Sequence, residues 1–180
     1  MDLFLVTGYG GLIVLLIRLL VPLTIFKWPL WGTVASLLAD MLDVVIADLI
    51  GMGGYVNYVV VDKILDVYYL SFAFIISLKW EKLARNTSIF LFVYRMFGFV
   101  LFWISGERVY LFIFQNLFEN FFIFEAVRQK YFAGWKLTKK RLFIALFILL
   151  IPKMIQEYAL HYLELQPWQW IKSVVGWTTN

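Results

Sequence analysis

Apolar residues run through this chain in long blocks, not in the strict alternation of half-buried strands or the narrow stripes of helices that face water on one side. Six blocks, roughly 4–26, 29–51, 55–78, 87–106, 108–127 and 141–163, approach the ~20 apolar residues with which a helix crosses a bilayer. Acidic residues interrupt the second, third and fifth. The remaining stretch, 164–180, carries Trp168, Trp170 and Trp177 and is expected to be an interfacial aromatic anchor. The predicted fold is all-α: a polytopic transmembrane helical bundle of about six spans, forming one membrane domain over residues 1–180.

Composition agrees with that pattern. With 63% hydrophobic residues, 16% charged and a mean hydropathy of +0.82, the chain carries more apolar surface than a soluble domain can bury. Its start, Met1-Asp2-Leu3-Phe4, has no basic n-region, and no small-residue cleavage site follows the first block, so that block is expected to be a retained span. The 18 Phe, 10 Tyr and 8 Trp suit surfaces that face membrane lipids or other membrane subunits, and do not discriminate between them.

The basic residues orient the spans. Lys27, then Lys79, Lys82 and Arg85, then Arg128, Lys130, Lys136, Lys139, Lys140 and Arg141 fall in alternate connections, against only Arg108 and Lys172 on the other side. By the positive-inside rule both termini are expected outside the cytoplasm, in the plasma (inner) membrane. A net charge of +4 distributed this way reads as a topology signal, and no nucleic-acid partner is expected. The absence of cysteine excludes thiolate chemistry and Cys-based metal sites, and the single histidine, His161, excludes a multi-histidine metal centre.

A repeat is also visible. The stretch from Arg18 overlays the stretch from Arg95, pairing Asp40 with Asn116, Asp43 with Glu119 and Asp48 with Glu125 when single-residue gaps are allowed. Further on, VDKILDVYYL (61–70) overlays IPKMIQEYAL (151–160), pairing Lys63 with Lys153. The halves, about 4–78 and 87–163, hold three blocks each. Three is odd, so the second half is expected to be inverted relative to the first, a 3+3 arrangement. Chance matching in apolar sequence is the competing explanation.

The polar residues inside the blocks are the candidate site. A charge at the bilayer centre costs at least about 2.5–3.5 kcal/mol, so several carboxylates in adjacent spans must converge on one another, on cations or on water. Asp40 and Asp43 share a helical face, as do Asp62 and Asp66, with Asp48 within a turn. Lys63, Arg18 and Arg95 are the expected supporting charges. Such a carboxylate set could hold a divalent cation, Mg²⁺ or Mn²⁺. The alternative is a salt-bridge network that fixes helix register. A second polar set comprises Asn116, Glu119, Glu125, Lys153, Glu157 and His161, where Lys153–Glu157 and Glu157–His161 spacings suit pairs along one helix face.

The run from Ala39 to Asp66, ADMLDVVIADLIGMGGYVNYVVVDKILD, resembles the signature of the CDP-alcohol phosphotransferases, six-helix membrane enzymes of phospholipid synthesis. Asp40, Asp43, Asp62 and Asp66 match the family's four aspartates, Ala47 its alanine, and Arg18 and Pro22 its preceding helix; the resemblance covers residues 18–66. It implies that the four aspartates hold divalent metal and activate an alcohol. The chain departs from the pattern at Val44, Asp48 and Asn57-Tyr58, where the family has glycine, arginine and glycine. The segment FQNLFENFF (114–122) is similar to stretches of bacterial polytopic membrane proteins without an assigned function. Six spans and this size are shared with substrate-binding components of vitamin transporters, which have the opposite orientation and an Ala-rich first helix. No catalytic residue is assigned. The expected function is cation or proton binding at the acidic cluster, in transport or membrane assembly. A divergent, active or inactive phosphotransferase-like enzyme and a purely structural subunit are the alternatives.

Overall fold

The computed structural model describes residues 8–50, 58–107, 109–158 and 174, and among them every regular element is helical. Helix α1 spans Gly8–Leu20 and passes into a 3₁₀ turn, Val21–Phe26. Pro22 explains the change. It has no N–H to give the carbonyl of Arg18, and its ring crowds that carbonyl, so the α-helical ladder stops one turn after Arg18. The chain reverses through Lys27 and Trp28 into α2, Pro29–Ile50, with proline again in the first turn where a missing N–H costs nothing. Gly32 allows α2 to lie directly on the 3₁₀ turn: a Cβ there would stand 2.5 Å from the backbone nitrogen of Ile25. This tight reversal sets the C-terminal half of α1 beside the middle of α2.

Helix α3 spans Tyr58–Ser77 and α4 spans Lys82–Ser105, ending at Gly106, whose positive φ of 74° provides a left-handed C-cap. The fifth block is not one helix. A short helix α5, Val109–Ile113, gives way at Phe114–Asn116 to α6, Leu117–Tyr131. Asn116 causes the break by acting as N-cap, its side-chain oxygen accepting from the Glu119 backbone N–H. The orphaned carbonyls of α5 are taken up by α4: Arg95 Nη1 donates to Leu111 and Phe114, and Tyr94 Oη to Ile113. Helix α7, Lys139–Glu157, starts at Thr138, which caps the Arg141 N–H.

The apolar core lies between the second half of α3, the first halves of α2 and α4, and α6. Phe118, Phe121 and Phe122 are fully buried at its centre, with Leu70, Ala73 and Trp80 against them. The first turns of α3 instead carry charge.

Length and apolarity qualify one helix among the described residues to cross a membrane, α4; the stretch Gly11–Phe26 is apolar but shorter. Asp62, Lys63 and Asp66 interrupt α3, and α6 has only 15 residues. The all-helical expectation is thus met among the described residues, and of the six blocks one, the fourth, lies in a helix with the length and apolarity of a span. The pseudo-repeat meets a local difference, since Asn116 ends a helix break whereas its counterpart Asp40 is in mid-helix.

A candidate charge centre around Arg18

Arg18 is buried at the end of α1, and its guanidinium gathers all four aspartates singled out by spacing. Nη1 donates to Asp43 Oδ2 and Asp62 Oδ1, both at 2.7 Å. Nη2 donates to Asp66 Oδ1 at 3.0 Å and pairs with Asp40 Oδ1. Lys63 Nζ bridges the other oxygens of the α3 pair, Asp62 Oδ2 at 2.8 Å and Asp66 Oδ2 at 2.9 Å. Three elements build this centre. The Pro22 break fixes where α1 ends, the Gly32 contact brings α2 alongside, and the i,i+4 spacing of Asp62 and Asp66 puts both on the face of α3 toward Arg18.

Asp43 is 2% exposed, whereas the Asp40 side chain is 27% exposed, making Asp40 the approach to the cluster. Among the described residues four carboxylates meet two cations, so with every group ionised these six side chains carry two negative charges in excess.

Carboxylate oxygens of Asp40, Asp62 and Asp66 lie within 4.8 Å of one another, a hard donor set of the kind Mg²⁺ or Mn²⁺ takes. The fit is nevertheless poor, because Arg18 and Lys63 occupy both oxygens of Asp62 and both of Asp66. A metal bound by all these groups would have to displace the guanidinium.

The second polar set divides in two. Glu119 accepts at Oε2 from Tyr69 Oη and from Asn116 Nδ2 at 2.8 Å, with Lys153 and Arg95 within electrostatic reach. Lys153 donates to Gln156 Oε1 at 3.3 Å. Glu125, fully buried, sits apart. It accepts from Arg128 Nε at 2.8 Å and Nη2 at 2.7 Å, while Arg128 Nη1 reaches the Trp135 carbonyl at 2.8 Å. The hydrogen bonds to Glu125 raise the Arg128 pKa above its ordinary value.

Arg95 does not join the Arg18 cluster; the carbonyls freed by the break after α5 engage it instead. The side chains of Asp48 and Glu157, and His161, lie outside the described residues, as do Gly51, Gly53, Gly54, Asn57 and the tryptophans of the tail. Two participants were not singled out from sequence. Tyr69 is one of many aromatic residues and had no distinguishing signal. Arg128, three residues after Glu125, had a spacing signal but was assigned to a basic connection.

No protein-family model, curated protein or solved structure matches this chain.

Proposed function

We propose that the chain is an integral membrane protein, a bundle of about six spans with both termini outside the cytoplasm, whose Arg18 cluster binds a proton or a small cation in transport or in the assembly of a membrane complex. The distribution of side chains supports the membrane setting. Arg18, Arg95, Glu119 and Glu125 are buried, while Met41, Phe90, Ile104, Phe143 and Ile155 point outward. That is the reverse of what water favours and the arrangement a hydrocarbon solvent selects, with polar groups turned to the bundle interior.

The observation that carries the functional reading is the unbalanced charge. An excess of two negative charges among the described groups, in a buried setting, is costly, and one added proton or cation reduces it. Asp40 is where it would enter. Arg18 takes its Oδ1, and its side chain is the most exposed of the four. The test is to measure proton uptake after a pH jump, and calorimetric binding of Mg²⁺ and Mn²⁺, on detergent-purified wild type and Asp40→Asn. Wild type should take up a proton or cation that Asp40→Asn does not. Identical behaviour of the two proteins would leave the purely structural role for the cluster.

A divergent phosphotransferase-like enzyme is the second reading, favoured by the convergence of Asp40, Asp43, Asp62 and Asp66 on one point. With Arg18 at that point, the reading is of a relative that has exchanged the metal for an internal cation. Metal-dependent release of CMP from a CDP-linked lipid would show that activity persists.

A further inference from the structure

Lys27, Lys79 and Lys130 belong to three different connections or helix ends, and the fold brings them to the wall of a single cleft of about 510 Å³ at one end of the bundle. Trp28, Trp31 and Trp80 form much of the rest of its lining. Two of the lysines are held by the rings: Lys27 Nζ lies 4.7 Å from the centre of the Trp28 ring, and Lys130 Nζ lies 5.2 Å from that of Trp31. Among the described residues none of the three lysines is in an ion pair, and no carboxylate lines the cleft. The first turn of α2 opens into the same space. Its Leu30 and Trp31 N–H groups have no acceptor within the helix, and the helix dipole adds positive potential there.

We infer that this cleft binds the phosphate headgroup of an anionic phospholipid, with the lysines and the α2 N-terminus on the phosphate and the tryptophans on the glycerol and upper acyl chain. Three cations without counter-charges call for a ligand with concentrated negative charge. The tryptophans call for one that is apolar immediately beside it, which a phospholipid supplies and a free phosphate does not. All three lysines lie on the side expected to face the cytoplasm, where anionic lipid attracts basic groups. The inference rests on the membrane reading above.

The experiment separates the two. Membranes containing the protein are first extracted with alkaline carbonate, and the detergent-purified protein is then analysed by native mass spectrometry with phosphatidylglycerol or phosphatidylcholine added. The protein is expected to stay in the membrane pellet and to retain phosphatidylglycerol preferentially. Lys27→Ala, Lys79→Ala and Lys130→Ala should each weaken that retention about fivefold. The exposed pair Lys139→Ala/Lys140→Ala, outside the cleft, should leave it unchanged. Equal retention of the two lipids by protein that resists carbonate would overturn the headgroup site and spare the membrane reading. Equal losses in the cleft and control variants would reduce it to diffuse surface attraction. Displacement of the lipid by millimolar inorganic phosphate would make free phosphate the ligand and overturn the lipid assignment. Release of the protein by carbonate would overturn both readings.

Discussion

Tyr69 on α3 donates its phenolic hydrogen to the carboxylate of Glu119 on α6, and this bond ties the first half of the chain to the second. Tyr69 stands one turn beyond Asp66, where α3 changes from charge to aromatic packing, so it borders the Arg18 cluster on one side and the core on the other. Glu119 has a second donor in Asn116, which also caps α6. The helix start and the interhelical contact therefore depend on one carboxylate.

Tyr69→Phe keeps the ring and removes only the donor. Glu119 would remain buried with Asn116 as its nearest hydrogen-bonding partner, and the loss should be about 1–3 kcal/mol. Thermal unfolding in detergent measures it. Asn116→Asp, which replaces the other donor with a second carboxylate, should cost more than Tyr69→Phe. A phenylalanine variant as stable as wild type would mean that the Glu119 contact does not hold the halves together.

Arg18 offers a prediction of unequal effects. Arg18→Gln leaves Lys63 as the one cation beside the four aspartates among the described residues, and loss of one side of a buried ionic network costs about 3–5 kcal/mol. Asp43→Asn lowers the excess of negative charge and retains an acceptor for the guanidinium, so it should cost far less. In the double variant Arg18→Gln/Asp43→Asn, part of the stability lost with arginine should return. Melting of the three variants against wild type gives the coupling. Additive losses would show that charge balance is not what Arg18 supplies.

The convergence of Asp40, Asp43, Asp62 and Asp66 was legible because helical spacing puts each pair on one face and the cost of isolated charge forces the faces together. Which arginine would serve them was not. Arg18 and Arg95 are paired in the repeat expected from sequence, and what separates them is a backbone event: the chain breaks between α5 and the Asn116 cap of α6, and the carbonyls of Leu111 and Phe114 take Arg95. The limits of α4 show a similar boundary effect. Its apolar block begins at residue 87, yet the helix begins at Lys82, because lysine and arginine are good helix formers and extend the helix beyond the apolar stretch. The cleft of Lys27, Lys79 and Lys130 was visible only as a bias in the connections, since sequence assigns a side of the membrane but not a shared wall.

Gly32 should tolerate no side chain. The Cβ of an alanine would stand 2.5 Å from the Ile25 nitrogen and 2.7 Å from its Cα, and these are backbone atoms that cannot turn aside. Helix α2 would have to move off the 3₁₀ turn, which offsets alanine's better helix propensity and costs about 1–3 kcal/mol net. The displacement would also reach the charge centre, because the same contact sets the distance from Arg18 to Asp40 and Asp43. Gly32→Ala should therefore lower thermal stability and, in the proton-uptake and cation-binding measurements, shift the behaviour of the cluster although no charged residue has changed. Gly106→Ala makes a useful comparison, since a Cβ there meets nothing within 4 Å and its cost comes only from the positive φ of the α4 cap. It should destabilise α4 locally and leave proton and cation binding as in wild type. If Gly32→Ala likewise affected stability alone, the packing of α2 on the 3₁₀ turn would not be what positions the aspartates around Arg18.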